Sequence, residues 1–437
     1  MPSLVQRLRG AERSALLANL KDSDTGRAAG LGIAVIAVNV IALIFTVVFA
    51  RILGASGYGS LAALISSFII FMVPGSALQI ATAREVSRAV ADGDSDAGSG
   101  VNQWLKRLCV LTVVVALLAI PLRSLFGAAI NVDELWAAAA VPVTAMLWML
   151  ISVERGALQG FQRYKVLAWS LIGESAARLA FGVLLVAAGL DVTGAFLSSA
   201  LSIALVALIL TLPLRQHLPL TSPEDARPVR DLLAGSWVPV IGLTLLFALQ
   251  EVHIIVVKHQ ASDDAAGSYA VSAVAGKAII WVAIGLGMYL LPEAARRARQ
   301  GEDARPILVR TLALIAAASV PMVLLYATAG RQLLSAVFGE DLTAASAALP
   351  WLGLAMALLA CAYLSAQYLL ALGQARFLWV LGGAALAEVV LLASVGANLT
   401  GVALALFGLQ VVCAGSMMTL ALRSVRVTSR AKAYLPV

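Results

Sequence analysis

The sequence predicts an all-α polytopic membrane protein of about 12 transmembrane helices in two six-helix bundles arranged as parallel repeats. Three observations carry that prediction. Apolar residues make up 61% of the chain against 13% charged, too little polar surface to cover a water-soluble globule of 437 residues. Twelve long apolar runs follow one another, and Lys and Arg are sorted into alternate connections between them. Helices are required because lipid offers no partner to an open backbone edge.

A crossing needs about 20 apolar residues to span roughly 30 Å of hydrocarbon. Runs near 29–50, 59–82, 107–126, 135–153, 167–189 and 191–212 supply the first six, and runs near 236–257, 266–292, 307–327, 346–372, 377–395 and 400–422 supply the second six. A polar stretch at 215–231 containing Pro219, Pro223 and Pro228 separates them. The expected organisation is therefore a cytosolic segment 1–28, a bundle 29–212, a cytosolic linker 213–235, a bundle 236–422 and a basic cytosolic tail 423–437. In the leader, Leu4, Leu8, Leu16, Leu17 and Leu20 alternate with Arg7, Arg9, Arg13 and Lys21. That pattern fits an amphipathic helix on the inner leaflet or a disordered tail. The first run, about 22 residues after a 28-residue polar leader, exceeds a signal-peptide core and reads as a retained span. Pro74 and Pro121 fall in apolar runs and are expected to kink them.

Of 31 Lys and Arg residues, 25 fall in the N-terminal segment, the alternate loops assigned inside, and the tail; Arg155 and Arg163 are counted in the third of these segments. Only Arg51, Arg123, Lys258 and Arg331 fall on the other side. Basic loops resist translocation, so both termini are expected in the cytosol. Arg178 and Lys277 remain, inside apolar runs where a charge is costly and is a candidate for function.

Two motifs recur at nearly one spacing. Gly57-Tyr58-Gly59-Ser60-Leu61-Ala62, entering the second span, matches Gly267-Ser268-Tyr269-Ala270-Val271-Ser272, entering the eighth, with Tyr58 and Tyr269 offset by 211. Gly160-Phe161-Gln162-Arg163-Tyr164 matches Gly373-Gln374-Ala375-Arg376-Phe377 with an offset of 213. Six spans per copy keep the membrane orientation, giving repeats related by an axis along the membrane normal and a cavity between the bundles that can face either side.

Several classes are excluded or disfavoured. The net charge of +7 is dispersed over short loops, which argues against a nucleic-acid surface and for anionic lipid headgroups at the inner leaflet. Cys109, Cys361 and Cys413 lie in apolar runs without metal-ligand spacing. No cofactor is expected, and no metalloprotease, nucleophile-elbow, Walker or dinucleotide motif is present. With outer connections of at most about 18 residues, no external domain is available for polymerase or ligase chemistry, so an enzyme is not expected.

Arg51-Ile52-Leu53-Gly54 followed by Gly57-Tyr58-Gly59 resembles the R-x-L-G-x-x-x-Y-G signature of the polysaccharide exporter branch of the multidrug/oligosaccharidyl-lipid/polysaccharide flippase superfamily. The loop 157–164, with Gly160 and Arg163, and the hairpin Val256-Val257-Lys258 with Gly267 and Tyr269 are similar to that family's segments. The resemblance implies a transporter fold like that of multidrug exporters. It also implies a bacterial plasma-membrane flippase carrying an undecaprenyl-diphosphate oligosaccharide from the inner to the outer leaflet, with O-antigen-type glycan polymerases or glycosyltransferases as partners. Coupling to a H+ or Na+ gradient or to the membrane potential goes with it. A cation-coupled small-molecule exporter of the same superfamily is the alternative, followed by a lipid II flippase.

A pyrophosphate and its sugars need fixed cations and hydrogen-bonding groups within such a cavity. Arg178 and Lys277 are the candidate cations. Glu174 lies four residues before Arg178 and is placed to form a local ion pair with it. Lys277 and Glu251 are separated in depth by about four residues, roughly 6 Å, and are a second candidate pair. Spans one, two, seven and eight line the cavity in the resembling family, which brings Lys277, Glu251 and His253 towards it. His253 departs from an Asp that many resembling sequences carry; imidazole can change charge near neutral pH, but a neutral, hydrogen-bonded helix-packing histidine is the favoured reading. Asn39, Gln79 and Gln250 are candidates for sugar hydroxyls or for interhelical hydrogen bonds. Glu388 is expected to lie outside the cavity and to be structural.

Overall fold

The computed structural model of this chain describes residues 24–92, 99–216 and 237–424. Most of the leader and linker and nearly all of the basic tail lie outside the described residues. Ten helical stretches are long and apolar enough to cross a membrane; two of them, Gly30–Ala91 with 62 residues and Tyr164–Arg215 with 52, have the length for two crossings each. Twelve crossings result, and no strand occurs among the described residues.

Helix α1 (Asp24–Ala91) holds the first two crossings and breaks at Gly54, where φ is 66°. A side chain would be strained in that left-handed conformation, which accounts for glycine in the Arg51–Gly59 motif. Then come α2 (Ser99–Ala119), the short α3 (Arg123–Ile130), α4 (Leu135–Gly160), α5 (Tyr164–Leu185), a π turn (Val186–Leu190) and α6 (Asp191–Arg215). The second half comprises α7 (Trp237–Gln260), α8 (Asp263–Gln300), α9 (Arg305–Phe338), α10 (Leu349–Ala371), α11 (Phe377–Val395) and α12 (Leu399–Arg423). The third crossing is Ser99–Ala119 rather than 107–126. Pro121 does not kink it but follows its end, because proline lacks an N–H and its ring excludes continuation. Beyond the proline, the Arg123 guanidinium stacks 4.8 Å from the Trp136 ring and ties α3 to the start of α4.

The two halves share one packing scheme. In the first, α1 packs on α4 and α5, α4 on α2 and α6, and α5 on α6. In the second, α8 packs on α10, α10 on α9 and α12, and α11 on α7 and α12. Matching the two crossings of α1 to α7 and α8 converts the first set into the second. This agrees with the parallel duplication read from the motif spacing and does not depend on it. Gly156 and Gly160 of α4 lie flat against α1, since a Cβ on either would come 2.5 Å from Gln79 O or 2.6 Å from Val86 Cβ. Apolar side chains such as Val110 and Leu117 of α2 and Leu386 and Val390 of α11 are exposed, as a hydrocarbon solvent requires.

The halves meet through α1 against α7 and α8. Gly59 and Gly267 touch there: a Cβ on Gly267 would come 1.8 Å from Ala55 O, and one on Gly59 would come 2.9 Å from Gly267 N. Three polar contacts accompany them at the end opposite the one where residues 24, 215, 237 and 423 lie. Arg51 donates from Nε to Val337 O at 3.0 Å and from Nη2 to Ala336 O at 2.8 Å, capping the C-terminal turn of α9 from across the junction. Asn131 Nδ2 donates to Lys258 O at 2.7 Å, and His259 Nε2 lies 3.2 Å from Ala128 O. Twelve crossings put the described chain ends on one face, the terminal face; these contacts close the opposite face.

Candidate functional site

In the second half, α7 and α8 bring the expected residues together. Lys277 Nζ lies 2.7 Å from Glu251 Oε2, with the two side chains 9% and 1% exposed. Gln250 Nε2 donates to Glu251 Oε1 at 3.0 Å, so both carboxylate oxygens are engaged. This lysine is a committed charge. His253 is fully buried, with Nδ1 3.0 Å from the hydroxyl of the motif residue Tyr269 and Nε2 without a partner. Glu388 on α11 is fully buried, and neither of its oxygens has a hydrogen-bond partner. It lies within electrostatic reach of the His253 backbone, Tyr269 and Cys413. Both side-chain polar atoms of Gln410 on α12 are likewise buried and unpartnered. Glu388 is thus a buried carboxyl without a side-chain hydrogen bond, close to His253 and Tyr269.

In the first half the expected local pair is replaced. Glu174 Oε2 is bound by Arg155 Nη2 at 3.0 Å, not by Arg178. Arg155 also donates to Ser170 Oγ at 3.2 Å and Ser170 O at 3.0 Å. Arg155 is therefore not a loop cation; it lies in the last turns of α4, 1% exposed. It was missed because the apolar run stops at Val153 while the helix continues to Gly160. Helix geometry prefers this pairing, since a long guanidinium reaching from α4 satisfies a carboxylate and a carbonyl together and locks α4 to α5.

Arg178 makes no ion pair among the described residues, although Glu174 lies within electrostatic reach of it. Its guanidinium carbon sits 4.0 Å above the Phe45 ring, an arrangement that stabilises a cation without neutralising it. Its Nε is without a hydrogen bond. Tyr58 connects this centre to the other half, lying within electrostatic reach of Arg178 on one side and Glu251 on the other. Of the other candidates, Asn39 is exposed on α1, Gln79 is half-buried and Gln250 is buried beside Glu251. Sequence reasoning did not find a further seam between α1 and α4, where Thr82 Oγ1, Trp148 Nε1 and Ser152 Oγ are buried without partners, or Glu154, 1% exposed and within electrostatic reach of Cys109 on α2. Of the remaining motif residues, Arg163 has interactions within the protein and Arg376 is exposed at the start of α11.

The arrangement combines a paired-bundle scaffold, a junction that closes at one face and charged centres beside that junction, as in a membrane transporter. Residues 28–296 match the family of polysaccharide biosynthesis proteins, and the chain belongs to that family, a branch of the flippase superfamily that its motifs resemble. None of the curated proteins matches it by sequence. Among solved structures it is similar to the inward-facing conformation of a multidrug resistance MATE family transporter of the MOP superfamily, with a TM-score of 0.70, 14% identity and coverage of 89% of this chain and 97% of that one. It is similar to the eukaryotic MATE transporter AtDTX14 at a TM-score of 0.65, 14% identity and coverage of 94% and 98%. The outward-facing conformation of a MATE family transporter is matched at 0.60, with 16% identity and coverage of 92% and 96%. The chain is a multi-pass transporter of the MOP superfamily.

Proposed function

We propose that this transporter moves a lipid-linked oligosaccharide with an anionic diphosphate headgroup from the inner to the outer leaflet of a bacterial plasma membrane by alternating access. Arg178 carries this reading. It is a guanidinium beside the junction, stacked on an aromatic ring with its Nε unbonded and with Glu174 within electrostatic reach but bound to Arg155, whereas Lys277 is bound directly by Glu251. Family membership supports the glycan class. A cationic-drug exporter would instead need an accessible uncommitted carboxylate, and Glu388 is fully enclosed. Such a substrate would come from glycosyltransferases and pass to a glycan polymerase.

The terminal face is the cytosolic one in this reading, which makes the state inward-facing with its outer side closed by Arg51 and the Gly59–Gly267 contact. Proton coupling through Glu388 is part of the proposal. The groups within reach of that carboxyl are His253 on α7, Tyr269 on α8 and Cys413 on α12, and Lys277, paired with Glu251, acts on His253 in turn.

The test is liposome reconstitution with a labelled undecaprenyl-diphosphate oligosaccharide, scored by the fraction exposed to an added glycosidase. Arg178→Gln is expected to lose transport roughly tenfold to a hundredfold at unchanged protein content, and Arg178→Lys to keep a part of it. Equal transport by Arg178→Gln, or efflux of a cationic dye in place of the glycolipid, overturns the reading. Orientation is checked separately in cells: Cys at Asp263 is expected to react with an impermeant maleimide, and Cys at Glu302 is not.

A further inference from the structure

We propose that the groove between the first turns of α7 and α11 is a binding site for one anionic phospholipid of the leaflet on the terminal face. Trp237 and Ile241 of α7 face Trp379 and Gly382 of α11 across a space of about 450 Å³, with Arg376 at its mouth. Its walls are almost wholly apolar. Trp237 is 46% exposed and Trp379 86%, a placement suited to the headgroup boundary, where indoles concentrate.

Two features separate this groove from an ordinary lipid-facing depression. Arg376 is exposed and has no hydrogen bond or ion pair among the described residues, so its guanidinium is free for a phosphate. The other half also differs in sequence at the corresponding positions. Under the offset that relates Gly160 to Gly373, Gly382 corresponds to Trp169, and Arg376 corresponds to Arg163, which is engaged within the protein. The first half therefore carries an indole and a committed arginine where the second has open space and a free one. An acyl chain fits the apolar slot, and a phosphate without a compensating cation fits the arginine. A basic residue at the mouth of an interhelical pocket favours anionic over zwitterionic headgroups.

This site is independent of the transported substrate, and its test reads lipid binding rather than transport. Purified full-length protein is titrated with phosphatidylglycerol or phosphatidylcholine of identical chains, and bound lipids are counted by native mass spectrometry. Wild type is expected to retain one phosphatidylglycerol in preference to phosphatidylcholine. Arg376→Gln should weaken that retention roughly fivefold, to the phosphatidylcholine level. Gly382→Trp should remove the tightly bound lipid of either kind. This variant is expected to fold, because a Cβ at Gly382 meets nothing within 4 Å, and its melting temperature without lipid verifies that. If both variants hold the same number of phosphatidylglycerol molecules as wild type, or if wild type holds phosphatidylcholine equally well, the site is overturned. Failure of the wild type to move the glycolipid, with phosphatidylglycerol still retained, would count against the substrate reading alone.

Discussion

The two halves share a packing scheme and a pair of tyrosines, yet they set opposite charges beside those tyrosines. In the first half Tyr58 lies by the cation Arg178; in the second, Tyr269 lies by the carboxyl of Glu388. Under the offset of the second motif, Glu388 aligns with Ser175, three residues or just under one helical turn from Arg178. Duplication thus supplied one geometry twice, and substitution gave one copy a group suited to binding anions and the other a group suited to exchanging a proton. A second contrast lies between committed and uncommitted charge. Arg155–Glu174 and Lys277–Glu251 are direct ion pairs at 3.0 and 2.7 Å with little exposure, which suits a structural role. Arg178, with Glu174 in electrostatic reach, and Glu388 make no direct ion pair among the described residues, which suits a role in the cycle.

The sharpest way to break that contrast is to truncate a committed charge. Lys277→Ala leaves Glu251 buried with a missing partner and is expected to cost about 3–5 kcal/mol, read as a fall in melting temperature in detergent. Removing both partners in Lys277→Ala with Glu251→Ala should recover most of that loss, because an unpaired carboxylate is what destabilises the single variant. Export per unit of folded protein should recover with it. If the double variant folds but does not transport, Lys277 contacts the substrate and the division between the halves fails.

Arg155 and Arg178 allow the same comparison within one half. Arg155→Met breaks an ion pair and two hydrogen bonds to Ser170, and about 3 kcal/mol of destabilisation is expected. Arg178→Met removes a cation that has only a ring beneath it and should cost about 1–2 kcal/mol while abolishing transport. Equal losses of stability would mean that Arg178 is structural after all.

Much of this was legible in the sequence. The number of crossings, their period and the duplication follow from the length of apolar runs and the two motif offsets, since hydrocarbon thickness and lack of backbone partners leave little choice. The Lys277–Glu251 pair was legible because both lie near one hairpin, so depth alone brings them together. Arg155–Glu174 was not, because pairing across α4 and α5 depends on how two helices rotate about their axes, which a run of apolar residues does not encode. The groove at Gly382 was hidden for a related reason: a glycine in an apolar helix reads as packing, and only the neighbouring helix shows that nothing fills its place. Arg51 read as one more external charge, with no sign that it reaches α9.

Glu388 tests the other uncommitted group. Glu388→Gln keeps shape and removes only the ability to ionise, so the melting temperature should hold to within about 1 kcal/mol equivalent. Transport driven by an imposed pH gradient should lose its dependence on that gradient, while exchange without a gradient continues. Replacing Na+ by K+ at fixed pH should leave the wild-type rate unchanged. A Glu388→Gln protein that still follows the gradient would remove the second half from the coupling step.

The smallest expected effect concerns the contact that holds the halves together on the face opposite the chain ends. Arg51 is exposed and donates two hydrogen bonds to the last carbonyls of α9, where the helix dipole favours a cation. Such an exposed contact is worth about 1 kcal/mol, so Arg51→Ala should shift the balance between inward- and outward-facing states roughly fivefold without unfolding the protein. The readout is a spin-label distance between Cys at Ser56 and Cys at Asp341, which lie on opposite halves of that face. A longer-distance population should grow in the variant and shrink again in Arg51→Lys, because lysine restores a charge near the dipole while lacking the paired donors. The Gly59–Gly267 contact is apolar and tight, so Gly267→Ala should push the same equilibrium further in the same direction: its new methyl has no room against Ala55 O. An unchanged distance distribution in both variants would mean that closure at this face rests on the packing of α1 against α7 and α8 as a whole, and that the motif arginine serves the fold rather than the gate.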